Sequence, residues 1–206
     1  MNTSAPHPTS RAQSKQHTRE ALLAAGAALI AQNGYSGASV RDIAARAGYT
    51  QGAFYSNFKG KDDLVFEIMR LQFQEAYASI SALKLTQPSS PAALAQDAAH
   101  WLQDVCGSDE SVLLFTEISL HAIRDKEFAV TYDALHEDHA YKMAAKLDEI
   151  AQAGQLKLRG STEQISKGMM ALTRGVMLTM CRQKQPVGFD ILRVFFESTL
   201  QAPDDV

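Results

Sequence analysis

The stretch SVRDIAARAGYTQGAFYSNF, residues 39–58, determines how this sequence is interpreted. Ser39 and Thr50 are residue types that cap helix starts, because their side chains accept a hydrogen bond from the first free backbone N–H groups. Each therefore predicts a short helix beginning at the next residue. Gly48 can adopt the positive φ that a tight turn requires, and Ala44 is small where two helices would cross. This pattern predicts a helix-turn-helix.

The second of these short helices is predicted over residues 51–57 and carries Gly52 and Ala53. Because these two residues have the smallest side chains, the helix is narrow at this point. A narrow helix fits into a major groove about 12 Å wide. Ile43 and Phe54 are the large apolar residues of the two helices, and we expect them to form the seam between them. The segment therefore predicts a protein that inserts a helix into DNA.

The residues around this motif extend the pattern to a known family. The segment AGYTQGAFYSNFKGKDDL, residues 47–64, resembles the recognition segment of TetR-type (AcrR-type) transcriptional regulators. LLAAGAALIAQNGY, residues 22–35, is similar to that family's first helix, and SVRDIA, residues 39–44, is similar to its second. The resemblance covers about residues 15–75. It implies a sequence-specific, homodimeric regulator, by default a repressor, which a small-molecule ligand releases from a palindromic DNA operator.

The candidate DNA-contacting residues lie on or beside the two short helices. Hydroxyls and N–H groups at helix starts contact phosphates, and polar side chains of the second helix contact phosphates or base edges. The resemblance further implies that Tyr55 and Lys61 contact phosphates. The full candidate set is Ser39, Arg41, Thr50, Gln51, Gly52, Tyr55, Ser56, Asn57 and Lys61.

The charge of the chain is divided unevenly along its 206 residues. The net charge is −3, but residues 1–61 hold seven basic and two acidic residues, whereas residues 62–206 are acidic overall by −8. A basic N-terminal part favours a polyanionic partner for that part alone. The two cysteines are too few for a disulfide framework, and no apolar run is long enough to cross a membrane, so we expect a cytoplasmic protein.

The whole chain predicts an all-α fold of about nine helices. A three-helix helix-turn-helix head is joined by a long helix to a C-terminal helical body. The helices are predicted at residues 15–33, 40–47, 51–57, 61–83, 91–106, 110–124, 126–153, 161–184 and 188–201, and the segment 155–159 is predicted to be a loop. The corresponding domains are a disordered tail (1–14), a DNA-binding domain (15–75, with the helix-turn-helix at 39–58) and a ligand-binding and dimerisation domain (76–206).

The last two predicted helices carry wide apolar faces, and the helix 161–184 also carries a stripe of small residues that favours close helix packing. Two such helices from each of two chains would form a four-helix interface, as the resemblance also implies. A homodimer has a further reason, because paired recognition helices about 34 Å apart contact two half-sites. The predicted interface residues are Met169, Leu172, Val176, Met180, Phe189, Leu192 and Phe196.

The middle helices carry aromatic and histidine side chains that suit an apolar pocket with a few polar groups. The candidate pocket residues for an unknown small-molecule ligand are Trp101, Phe115, His121, Tyr132, His136, Tyr141 and Met177.

Two other function classes stay open at this point. A metal or enzymatic helical bundle would use pairs such as His136 with His139, or Glu117 with His121, but the sequence lacks the two Glu-x-x-His pairs of di-iron bundles and has no His-Glu-x-x-His segment. We therefore predict no catalytic residues, no metal and no cofactor. The second alternative is a helical adaptor that binds another protein.

Overall fold

A computed structural model provides the structure of the protein and describes residues 10–82, 96–97, 101, 108–154, 157–183 and 189–201. Within these residues the architecture is all-α, as predicted, with eight helices and one short strand pair. They are α1 (Ser10–Gly37), α2 (Val40–Arg46), α3 (Gln51–Tyr55), α4 (Lys61–Ala82), α5 (Asp109–Arg124), α6 (Lys126–Ala153), β1 (Lys157–Leu158), α7 (Thr162–Gln183), α8 (Phe189–Thr199) and β2 (Leu200–Gln201). The helix predicted at 91–106 lies almost entirely outside the described residues; residues 96, 97 and 101 are helical.

The predicted start of the first helix is wrong. Helix α1 begins at Ser10 rather than at Lys15, so five residues assigned to a disordered tail are helical. No helix-breaking residue lies between these positions, and Pro8 comes before them, where a proline is tolerated. Thr18 lies inside the helix, and its hydroxyl donates to the carbonyl oxygen of Ser14 at 2.8 Å. Residues 1–9 lie outside the described part of the chain.

The prediction of a loop at residues 155–159 is also wrong. Lys157 and Leu158 form β1, which pairs antiparallel with β2 in the register Lys157 to Gln201 and Leu158 to Leu200. The backbone N–H of Arg159 adds a hydrogen bond of 2.9 Å to the carbonyl oxygen of Thr199. The partner strand lies more than 40 residues away along the chain, so a local sequence pattern does not indicate it.

The chain divides into two compact units, each with its own apolar core. The first contains the described residues up to Arg70 together with Leu113–Ala129, and the second contains Leu71–Val112 and Val130–Val206. The large, fully buried side chains of the first unit include Leu22, Ile30, Ile43, Phe54, Phe58, Leu64 and Met69. The core of the second unit includes Ile80, Trp101, Met143, Met169, Val176, Leu192 and Phe196. In the described parts of the chain, no helix has the length and apolarity needed to cross a membrane.

Candidate nucleic-acid interface

Helices α2 and α3 form the predicted helix-turn-helix. The Oγ of Ser39 accepts a hydrogen bond from the backbone N–H of Asp42 at 3.1 Å, and the Oγ1 of Thr50 accepts one from that of Ala53 at 3.2 Å. Between the helices Gly48 has a φ of +78°, which is the left-handed conformation the turn requires. Both caps therefore begin their helices as the sequence predicts.

The buried residues Ile43 and Phe54 orient the two helices against α1. Both side chains have no exposed surface. Because Phe54 faces the core, the opposite side of α3 faces outward, and Gln51, Gly52 and Tyr55 are exposed on it. The Tyr55 side chain is 58% exposed, and its ring meets the Phe54 ring edge-on at 5.5 Å between centroids. The structure thus presents a small polar helix surface, which is the arrangement that groove binding requires.

Ser56 and Asn57 are engaged in ending helix α3. The Ser56 hydroxyl and the Asn57 side-chain amide both donate to the carbonyl oxygen of Ala53, each at 2.8 Å. Ser39 is exposed at the start of α2, and Arg41 is exposed on that helix. The structure therefore leaves Arg41, Gln51 and Tyr55 open to a ligand, whereas the side chains of Ser39, Ser56 and Asn57 already have intramolecular partners.

Lys61 has a structural role that the sequence analysis missed. Its ammonium group donates to the carbonyl oxygens of Tyr35 (2.7 Å) and Ala38 (3.1 Å), and it lies 4.1 Å from the centre of the Tyr35 ring. Partial burial lowers the pKa of Lys61, while the nearby Asp62 opposes this change. An ammonium group has three donor hydrogens. Two are used here, so one stays available for a phosphate.

Tyr35 is a second residue that the sequence analysis missed. It follows Gly34, which has a φ of +77° and a ψ of 165° and interrupts the helical backbone of α1. The Tyr35 backbone N–H donates to Glu117 Oε2 at 3.2 Å, and its hydroxyl donates to Asp62. Burial, the Asp62 hydrogen bond and the charges of Asp62 and Asp125 raise the pKa of the Tyr35 hydroxyl. Tyr35 therefore holds together the end of α1, the start of α4 and helix α5.

The comparisons with known proteins agree with this geometry. Residues 22–68 match the family model described as bacterial regulatory proteins of the tetR family. The chain is 25% identical over 179 residues to the HTH-type transcriptional repressor BepR of Brucella suis, covering 85% of each chain. It is 32% identical over 113 residues to the HTH-type transcriptional regulator AcrR of Shigella flexneri, covering 53% of this chain and 51% of that protein.

The fold is also shared with solved structures. A TetR-family member from Streptomyces coelicolor has a TM-score of 0.69 at 21% identity, over 90% of this chain and 99% of that one. The chain is similar to TetR-family regulators in sequence over residues 22–68 and in its fold. It is a helix-turn-helix, DNA-binding transcriptional regulator.

The seven predicted pocket residues are divided between the two units of this regulator. Phe115 and His121 belong to the first unit, where the His121 ring stacks on Tyr35 at 3.6 Å between centroids. Trp101 is a core residue whose indole N–H donates to Ser79 Oγ at 3.1 Å. Tyr141 is 75% exposed on α6. The assignment of Phe115, His121 and Trp101 to a ligand pocket stays a prediction.

Helices α6 and α7 nevertheless line two open cavities in the second unit. One, of about 300 Å³, is lined by Tyr132, His136, Lys167, Met170 and Arg174 among others. The other, of about 600 Å³, is lined by Tyr141, Asp148, Thr162 and Lys167 among others. Of the predicted pocket residues, Tyr132, His136 and Tyr141 therefore line cavities. Met177 is half-buried on α7 and lines neither of them.

Four predicted interface residues pack inside the chain instead. Met169, Val176, Leu192 and Phe196 belong to the core of the second unit, and Leu172 packs against that core. They are unavailable to a second chain because α7 and α8 bury these faces against each other and against their neighbours; Gly168, for example, leaves room for the Phe195 ring. The side chains of Met180 and Phe189 lie outside the described residues.

Two histidines of the second unit lie against one phenylalanine. The His139 ring stacks on Phe73 at 4.3 Å between centroids, and the His136 ring meets Phe73 at 5.1 Å. Burial lowers the pKa of each histidine to about 4; the positive charge of Arg174 adds to this for His136 and that of Lys142 for His139, where Asp138 opposes it. Among the described residues, no group of three or more metal-ligating side chains comes together.

This pair predicts a pH-dependent stability. From about pH 6.5 down to about pH 4 the unfolded chain binds protons at both positions while the folded chain does not, so the free energy of unfolding falls as the pH falls. The slope should stay below about 1.4 kcal/mol per pH unit for each histidine. Thermal unfolding between pH 7 and pH 4.5 measures it. His136→Gln with His139→Gln should flatten the dependence, and an unchanged slope in the double variant would contradict the assignment.

Proposed function

We propose that this regulator is a repressor that binds a palindromic operator as a homodimer in the cytoplasm and is released by a small-molecule ligand. The observation that carries the DNA-binding part is the outward face of α3, where Gln51, Gly52 and Tyr55 are exposed after the capped helix start at Thr50. Gln51 would contact base edges, and Ser39, Arg41, Thr50, Tyr55 and Lys61 would contact phosphates. The name of BepR, a repressor, supports the direction of regulation.

The proposed dimer uses the faces of α7 and α8 that the core leaves open. Leu178, Ile191 and Val194 are between 43% and 56% exposed, although they are large and apolar. On α7 the small residues Ala171 and Gly175 are exposed beside them, and a methyl group built at Gly175 meets no atom within 4 Å. Small residues allow close helix approach. We therefore place the proposed dimer interface on the outer side of α7 and α8 and not on their buried side.

The proposed ligand site is the α6–α7 side of the second unit. The cavity lined by Tyr132 and His136 combines apolar side chains with a few polar ends, as small-molecule sites do. In this proposal residues 15–75 bind DNA, and residues 76–206 bind the ligand and the partner chain.

Selection of bound duplexes from a random-sequence pool tests the DNA-binding proposal. We expect the selected duplexes to share two inverted half-sites whose centres lie about 34 Å apart, or a multiple of this. Analytical ultracentrifugation should show a dimer, and Leu178→Glu with Ile191→Glu should give monomers. A pool without any shared sequence, or a monomer that keeps full affinity for the selected duplex, would contradict the corresponding part of the proposal.

Gly52→Ala predicts opposite effects on stability and on DNA binding. A methyl group at Gly52 meets only Thr50 Oγ1 inside the protein, at an ordinary 3.6 Å. The variant should therefore gain about 0.5 kcal/mol in free energy of unfolding, because alanine favours helices over glycine. The same methyl group enters the space between α3 and DNA, so affinity for the selected duplex should fall about tenfold, the order of one base-edge contact. Denaturant unfolding and fluorescence anisotropy measure the two changes; unchanged DNA affinity would show that α3 does not approach the bases closely.

Tyr55→Phe and Lys61→Ala predict changes in the salt dependence of DNA binding. If a residue contacts a phosphate through its charge, its loss lowers the slope of log affinity against log salt by about 0.9. Lys61→Ala should lower the slope by this amount and should also lower the melting temperature, because it removes hydrogen bonds to Tyr35 and Ala38. Tyr55→Phe removes a neutral hydroxyl, so it should weaken binding to all sequences with only a small change in slope. Full affinity in both variants would refute the phosphate contacts.

A further inference from the structure

Arg19 on α1 connects three parts of the DNA-binding head. Its Nη1 donates to the backbone carbonyl oxygen of Asn57 at 2.9 Å, and its Nη2 forms an ion pair with Glu67 Oε1 on α4, also at 2.9 Å. The guanidinium lies 4.4 Å from the centre of the Phe58 ring. All three contacts use one planar group, so their positions relative to one another are fixed by its geometry.

The contact with Asn57 lies just past the end of α3. The carbonyl groups at the end of a helix have no partners within it and carry partial negative charge, so a guanidinium placed there is favourable. The side chains of Arg19 and Glu67 are only 29% and 26% exposed, so water competes with these contacts less than on an open surface. Arg19 therefore fixes where α3 ends relative to α1 and α4.

We propose that Arg19, held by Glu67, is a positioning residue that sets the orientation of α3 for sequence-specific DNA binding. The proposal rests on the proposed DNA-binding function. It assigns Arg19 no contact with DNA: both ends of its guanidinium are already bonded within the protein. A misoriented α3 loses base-edge contacts, whereas the attraction between the positive charges of the head and the phosphates, which is independent of sequence, does not depend on the orientation of α3.

Glu67→Gln gives the decisive test, because the two possible roles of Glu67 predict changes in DNA affinity of opposite sign. Removing a negative charge from the head strengthens DNA binding if electrostatic attraction alone matters. If Glu67 holds Arg19 in place, affinity for the duplex selected from the random pool should instead fall about tenfold, as for the loss of one base-edge contact. Binding to a scrambled duplex of the same length should be unchanged or slightly tighter. Equal or tighter binding of the selected duplex by Glu67→Gln would overturn the proposal.

Two further variants separate positioning from direct contact. Arg19→Gln and Arg70→Gln remove the same charge from the head, and Arg70 also lies beside Glu67, at 3.4 Å, but is more exposed. Arg19→Gln should lower the ratio of selected to scrambled binding about tenfold and leave the salt slope unchanged, whereas Arg70→Gln should change neither. A slope lower by about 0.9, with equal losses on both duplexes, would make Arg19 a phosphate contact and overturn the proposal.

Arg19→Lys covers the case in which Arg19→Gln fails to fold. It keeps the positive charge but cannot bond Asn57 and Glu67 with a planar fork, so it should show the same loss of specificity. Full specificity in Arg19→Lys would overturn the proposal. If the wild-type chain selects no sequence from the pool, the proposed DNA-binding function fails instead, and the two failures are thus distinct.

Discussion

Phe54→Ala should unfold the DNA-binding head more than any other single substitution proposed for it. The Phe54 side chain has no exposed surface, and its ring contacts that of Phe58 at 5.6 Å between centroids. Truncating a buried phenylalanine costs about 3–5 kcal/mol, because apolar burial is lost and a cavity remains. Helix α3 has only five residues and cannot persist without its anchor. We expect loss of DNA binding together with a lower free energy of unfolding, measured by denaturant titration.

Tyr55→Ala is the matched control, because Tyr55 is the next residue of α3 but is mostly exposed. Its loss should change the free energy of unfolding by less than about 1 kcal/mol, as is usual for surface positions. DNA affinity should nevertheless fall, since Tyr55 is a proposed phosphate contact. Equal destabilisation by the two substitutions would mean that the buried and exposed faces of α3 are assigned incorrectly.

Gly34→Ala should have the second largest effect. Gly34 has a φ of +77° and a ψ of 165°, a conformation that residues other than glycine almost never adopt and that costs about 1–3 kcal/mol. A methyl group there would also lie 2.9 Å from Glu117 Oε2, the atom that accepts the Tyr35 N–H. The total cost should reach about 3 kcal/mol once the displaced hydrogen bond is included. Thermal unfolding should show a clearly lower melting temperature.

Gly48→Ala serves as a control for Gly34→Ala, because it introduces the backbone strain of a positive φ without a steric clash like that with Glu117. Gly48 has nearly the same φ, +78°, but a methyl group there meets no atom within 4 Å. It should therefore cost only the strain of the left-handed conformation, about 1–2 kcal/mol. Combining Gly34→Ala with Glu117→Ala should recover the part that the clash causes. A double variant as unstable as the sum of the two single variants would show that Glu117 and Gly34 are not coupled.

The DNA-binding surface could be predicted in good part because its signals are local. The caps Ser39 and Thr50, the turn at Gly48 and, to within two residues, the helix bounds of α2 to α7 follow from residue types and spacings over a few positions. The helix predicted over residues 188–201 is wrong at its end, because Leu200 and Gln201 pair with β1 as β2. Ser56 and Asn57 are candidate DNA contacts in the sequence because they are polar and lie in the helix predicted over residues 51–57. Their bonds to the Ala53 carbonyl depend on how the backbone ends α3, which composition does not indicate.

The second unit was predicted less well because its assignments depend on which face of a helix is covered. The stripe Met169 to Val176 is apolar and helical in period, and that pattern is the same for a core face and for a dimer face. Likewise, Phe115 and Trp101 are equally suitable for a pocket wall and for a core. Only contacts between distant segments separate these alternatives.

The sequence by itself determined the all-α fold class, the helix-turn-helix and the capped starts of its two helices, since periodicity, caps and turn glycines act within a few residues of one another. Tertiary structure alone decided which groups the side chains or backbone of Arg19, Tyr35, Lys61 and Glu117 contact. Each joins segments between 23 and 82 residues apart along the chain. A charged side chain looks the same in sequence whether it faces DNA or a backbone carbonyl, and only the folded chain brings its partner to it.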